Sequence, residues 1–131
     1  MKPLEWIASS KKDLKAMPDE VQDNMGYALL LAQLGQKHDD TKPLKGFKGA
    51  EVLEVVDNFD GDTYRAVYTV RFESAVYVLH VFQKKSKSGI ATPKQDIELV
   101  EQRLKAAQEH HQINYDNQSQ SNWRFRKHCN F

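Results

Sequence analysis

The sequence predicts an α+β domain, and three observations predict it. Residues 64–72 and 76–82 are two adjacent apolar runs rich in Val, Tyr and Phe, the composition of paired strands. A third such run, 50–57, is joined to the first through Asp60-Gly61, a hairpin turn signal. On either side of this β block the apolar residues recur every three or four positions, as on amphipathic helices.

Each element has its own justification. Residues 3–8 alternate loosely and read as a short first strand. Ser9-Ser10, with Asp13 three residues after Ser10, has the form of a helix start with a capping box. That helix is short because Pro18 opens another, with Asp19 and Glu20 suited to the positive end of the dipole. Val21, Met25, Ala28, Leu29 and Ala32 form its apolar stripe, and Gly35 is its stop signal. Residues 36–49 are a polar loop punctuated by Pro43, Gly46 and Gly49. After 50–57 and its turn, the strand at 64–72 alternates. Tyr64, Ala66, Tyr68, Val70 and Phe72 share an apolar face that should meet the helices. Arg65, Val67, Thr69 and Arg71 share the other, which reads as an open face suited to a ligand. Strict alternation in 76–82 puts His80 with Val76, Val78 and Phe82, on a buried face. Thr92 as N-cap and Pro93 as first residue then start a helix carrying Ile97, Val100 and Leu104 and ending near His111.

Composition narrows the function. The 131 residues are 40% hydrophobic and 28% charged, the balance of one soluble globular domain. A net charge of +1 gives no bulk attraction to nucleic acid, so any such attraction must come from where the cations cluster. They cluster in two places: Lys45 and Lys48 around a Gly-Phe turn, and Lys84, Lys85 and Lys87 after the most apolar strand. Cys129 stands alone, the N-terminus lacks the apolar run of a signal peptide, and no segment is apolar enough to span a membrane; a reducing cytoplasm is the expectation. His38-Asp39-Asp40 are loop neighbours that point apart, with no second cluster, so no metal and no cofactor is expected. No nucleotide-binding loop, zinc spacing or nucleophile elbow occurs. The sequence is divided into a domain at 1–111 and a polar tail at 112–131 of disordered character, ending in interleaved aromatics and cations from Trp123 to His128.

Four stretches carry a resemblance: Pro43-Leu-Lys-Gly-Phe47, Tyr64-Arg-Ala-Val-Tyr68, Val78-Leu-His-Val-Phe-Gln-Lys-Lys85 and Thr92-Pro-Lys-Gln-Asp-Ile97. In order and spacing, over about residues 3–108, they resemble the RelE/ParE toxin superfamily and, more closely, its HigB-like phage-derived branch. The resemblance implies a RelE-like fold with an N-terminal strand and helical pair on a mostly antiparallel sheet. It implies a type II toxin: a metal-independent endoribonuclease acting on mRNA, often on the ribosome, and restrained by a cognate antitoxin with a helix-turn-helix domain. Such cleavage turns the 2′-hydroxyl on its own phosphate. It therefore needs a base, cations against the phosphorane and an acid for the leaving oxygen. Arg65, Lys84, Lys85, Lys87 and His80 are the candidates for that chemistry, and Lys45, Lys48, Arg71 and Tyr68 for holding RNA. Lys87 falls where RelE-like enzymes carry a catalytic arginine. The chain departs from its relatives in having Ala91 near the place of their C-terminal tyrosine. A ParE-like toxin that contacts DNA gyrase and an inert phage-derived binding module are the competing readings.

Overall fold

The computed structural model describes residues 1–47, 49, 51–84 and 92–116. The chain runs β1 (Leu4–Trp6), α1 (Ser10–Lys15), α2 (Asp19–Gln33), β2 (Thr41–Pro43), β3 (Val52–Phe59), β4 (Asp62–Thr69), β5 (Val76–Lys84) and α3 (Lys94–His111). The strands form one mixed sheet in the order β1-β5-β4-β3-β2. All neighbours are antiparallel except β1, which lies parallel to β5. The α+β reading therefore holds. The loop expected at 36–49 contains β2, an edge strand too short for any alternation to betray it.

Local chemistry sets the connections. Asp60 and Gly61 both adopt positive φ, 50° and 82°, as the tight turn between β3 and β4 requires. Gly35, at φ 78°, closes α2: its N–H donates to the Ala32 carbonyl and that of Gln36 to the Leu31 carbonyl. At two helix starts the side chains do something other than cap. Ser9 donates to the Asp13 carboxylate, and the buried Ser10 hydroxyl donates to the Val78 carbonyl of β5. Thr92 does not cap α3 either; Pro93 holds that position.

Two apolar layers sandwich the sheet. On one face Val21, Met25, Ala28 and Leu29 of α2 pack on Val55, Ala66, Tyr68, Val76 and Val78. On the other, Val100, Leu104 and Ala107 of α3 pack on Val52, Val67, Tyr77 and Leu79. The open face expected around Arg65, Val67 and Thr69 is thus a covered one, with all three buried and only Arg71 exposed. The apolar stripe of α3 needs a partner, and the sheet supplies apolar side chains on both sides.

Alternation fails in β5 as well. Val67 pairs with His80, but Tyr68 pairs with Val78, so Leu79 is an extra residue and the strand bulges. The bulge moves His80 and Phe82 from the face of Val76 and Val78 to the face of α3, and sends Val81 to the α2 side. Beyond α3, residues Gln112–Asp116 continue as a wide helical turn, and the Tyr115 hydroxyl donates to the Glu5 carboxylate at 2.8 Å. Of these five residues, placed in the tail by composition, Tyr115 packs on the domain while Gln112, Ile113 and Asn114 are exposed; the tail from residue 117 lies outside the described residues.

Candidate functional site

The first turn of α3 crosses the sheet where β3, β4 and β5 carry their charged residues, and it gathers them into two clusters. The first lies under the start of the helix. Arg65 of β4 is 2% exposed and donates through Nη1 to Oε1 of Glu54 on β3, at 2.8 Å. The same nitrogen reaches Thr92 Oγ1 at 3.2 Å, and the Thr92 hydroxyl donates to the other Glu54 oxygen in a short hydrogen bond. Glu54 is itself 1% exposed. Strand register brings these residues together: Val56 stands opposite Arg65 and Glu54 opposite Val67, so Glu54 and Arg65 are diagonal neighbours on one face.

Lys84 completes the cluster. It pairs with Thr63 across β4 and is 8% exposed. Burial draws the pKa of its ammonium down, and the positive charge of Arg65 pushes the same way; Glu54 opposes and Lys42 adds to the depression. Over this cluster opens a cleft of about 350 Å³ between β2 and α3, edged by Lys42 and Lys45, walled by Pro43, Leu44 and Ile97, and floored by Glu54 and Thr92. The arrangement brings together fixed positive charge, a lysine whose pKa is lowered and a carboxylate.

The second cluster lies one turn further along α3. His80 Nε2 bonds Asp96 Oδ1 at 2.8 Å, and Arg103 Nη1 approaches His80 Nδ1 at 3.2 Å. Arg103 can only donate, so Nδ1 is the acceptor and Nε2–H donates to Asp96. Arg103 also donates to the Leu79 carbonyl at 3.0 Å and to Ser9 Oγ at 3.4 Å. Phe82 stacks on the imidazole with centroids 4.5 Å apart. Burial is the main cause of a lowered His80 pKa, with Arg103 adding to it and Asp96 opposing. The imidazole is therefore neutral at physiological pH, but both its nitrogens are engaged.

The candidates taken from sequence separate accordingly. Arg65 and Lys84 come together beside Glu54, and Lys45 lines the cleft whose floor is Glu54 and Thr92. His80 stands on the same face but in the second cluster. Arg71 is exposed beyond the far end of β4 from Arg65. Tyr68 is completely buried against α2, on the opposite face of the sheet, so the RNA-holding role expected of it lacks an accessible ring. Lys48, Lys85 and Lys87 lie outside the described residues. Sequence reading missed Glu54 and Thr92. The signal for Glu54 was available: it is an acid inside a β-prone run, and such a residue is buried only with a partner. Among the described residues no three His, Cys, Asp or Glu side chains gather as metal ligands, and no helix is long and apolar enough to cross a membrane.

This fold, a helical pair and a terminal helix on opposite faces of a mixed sheet with a basic cleft at the strand ends, is compatible with the RelE-like class. The chain belongs to the phage-derived Gp49-like family, whose profile matches residues 12–105, and this is a RelE-like toxin family. No curated protein matches the chain.

Proposed function

We propose that the protein is the toxin of a type II toxin-antitoxin pair, close to the HigB-like branch, and that it cleaves mRNA, on the ribosome, by metal-independent attack of a 2′-hydroxyl on the adjacent phosphate. The observation that carries this reading is Lys84, held beside Arg65 with its pKa lowered, under a cleft edged by Lys42 and Lys45. A lowered pKa favours Lys84 over an ordinary lysine as the group that takes the 2′-hydroxyl proton. Lys42 and Lys45, at the rim, supply positive charge where the phosphorane gains its extra negative charge, and Arg65 acts from beneath by helping to hold the Lys84 pKa down. Lys85 and Lys87, outside the described residues, remain candidates for the same role by sequence alone, and His80 serves as a support for the strand end that carries Lys84. The partner is an antitoxin with a helix-turn-helix domain, encoded beside the toxin and covering the basic cleft. The protein acts in the cytoplasm, where its substrate is.

A second reading has one observation in its favour. Arg65 is tied to Glu54 in a buried pair, an arrangement that also suits a ParE-like toxin acting by protein contact with DNA gyrase. Induced expression in a bacterium separates the two. Growth arrest with mRNA cut at defined sites supports the ribonuclease. Arrest with DNA damage and intact mRNA supports the gyrase reading, and unimpaired growth without an antitoxin sinks both.

A further inference from the structure

We propose that the cleft between β2 and the start of α3 is a pocket for a single unpaired nucleobase bearing an exocyclic amino group, with Glu54 as the residue that reads it. The inference rests on the reading of this cleft as an RNA site and adds which part of the RNA enters it.

The lining decides what fits. The walls, Pro43, Leu44 and Ile97, are apolar, and the cations Lys42 and Lys45 stand at the rim. A phosphate would prefer the rim, since the floor carries the Glu54 carboxylate, which repels it. Apolar walls with a polar floor instead suit a flat, uncharged ring with a hydrogen-bonding edge, and a cleft of about 350 Å³ has room for one. The rim lysines are then placed for the phosphate attached to that nucleotide.

The floor offers acceptors only. The Thr92 hydroxyl has one proton, and it donates that proton to Glu54 while its oxygen accepts from Arg65. Each Glu54 oxygen accepts one of these bonds, Oε1 from Arg65 and Oε2 from Thr92, and a carboxylate oxygen has capacity for a further one; Glu54 lines the cleft. A ligand edge must therefore bring N–H groups. Cytosine N4, adenine N6 and guanine N1 and N2 do so. Uracil presents two carbonyl oxygens flanking a single N–H, and a carboxylate repels them. The pocket thus selects amino-bearing bases over uracil, through a residue whose geometry is fixed by an ion pair on one side and a hydroxyl on the other.

The test is titration of the full chain with CMP, AMP, GMP and UMP, followed by amide chemical shifts, alongside cleavage of an RNA oligonucleotide of mixed sequence. The expected result is shift changes at Leu44, Glu54 and Ile97 for the three amino-bearing nucleotides, with UMP roughly tenfold weaker or more. Ile97→Trp, which fills the cleft without touching the ion pair, should abolish the changes for all four. Glu54→Gln should bring UMP toward the others; because that variant leaves Arg65 without its carboxylate and can fail to fold, Ile97→Trp is the deciding one. Equal affinity for UMP, shifts confined to Lys42 and Lys45, or undiminished binding by Ile97→Trp would overturn the proposal. If RNA is cut but nucleotides leave the cleft undisturbed, the base pocket fails and the ribonuclease reading stands. Should amino-bearing nucleotides bind in the cleft while RNA stays intact, the pocket stands and the ribonuclease reading falls.

Discussion

The two polar clusters under α3 are built from the same kinds of residue and end in opposite conditions. Glu54, Arg65 and Thr92 are locked together, yet they form the floor of a cleft, with Lys84 beside them and further lysines at the rim. His80, Asp96, Arg103 and Ser9 are also locked together, but there the arginine closes the imidazole's remaining nitrogen and bonds to the backbone of the bulge. A histidine with an ordinary pKa near neutrality is the usual suspect for proton transfer. Here its lone pair faces a guanidinium, while a lysine, normally far too basic, has been brought toward the useful range by burial and a neighbouring cation. What separates the two clusters is that the first borders a cleft, through Glu54 and Thr92, whereas in the second both nitrogens of the imidazole are taken up by protein partners.

The largest effect should come from breaking the first cluster. Arg65→Ala leaves Glu54 buried without its cation, a loss of about 3–5 kcal/mol. Thermal unfolding should show it as a large fall in melting temperature. Glu54→Met combined with Arg65→Met removes both charges and should recover most of that stability, as buried pairs replaced by apolar residues often do. If Arg65 serves the phosphate, the double variant will be folded and non-toxic. A folded double variant with full toxicity would move the site away from Arg65.

Lys84→Met is the next test, and its effect should fall on activity. Loss of a proton acceptor lowers cleavage roughly a hundredfold or more, while melting changes little because the methylene stem is replaced by one of similar length. The rate should also rise with pH up to the lowered lysine pKa in the parent protein and lose that limb in the variant. A rate that drops less than a few-fold would return the base to another residue.

Arg103→Met asks whether the second cluster is only structural. It removes donors to His80, the Leu79 carbonyl and Ser9, leaving acceptors in a half-buried setting, at about 1–3 kcal/mol. Cleavage per folded molecule should be unchanged. A loss of activity beyond the loss of folded protein would merge the two clusters into one functional unit.

Much of the fold was legible because its signals are local. The stripe Val21, Met25, Ala28, Leu29, the Asp60-Gly61 turn, Gly35 and the Thr92-Pro93 helix start each carry their structure in a few neighbouring residues. The sites were less legible because they depend on register between strands. Leu79 has nothing in its side chain that announces a bulge, and that one extra residue reassigns His80 and Phe82 to the other face. Thr92 looks like an N-cap, and its hydroxyl is instead drawn to a carboxylate that lies 38 residues earlier in the chain. Arg65 was found by its position in an apolar run, whereas its partner Glu54 becomes visible only when β3 is set beside β4.

The smallest effect should be the pH dependence that the second cluster gives to stability. Burial holds the His80 pKa below its ordinary value of about 6.5, so the folded state prefers the neutral imidazole. Unfolded chains take up the proton first as pH falls through 6.5, and between that point and the lowered folded pKa they bind more protons than the native protein. Stability therefore rises with pH across this window, is fully present above it and is lost below it. Structurally, protonation puts a second donor and a like charge against Arg103, 3.2 Å from Nδ1, although it strengthens the bond to Asp96. Urea unfolding at pH 7 and at successive steps down to pH 5 should show the decline in the parent protein and a flatter profile in His80→Gln. An unchanged slope in that variant would assign the titration to another group, and with it the view that Arg103 closes the histidine against protons.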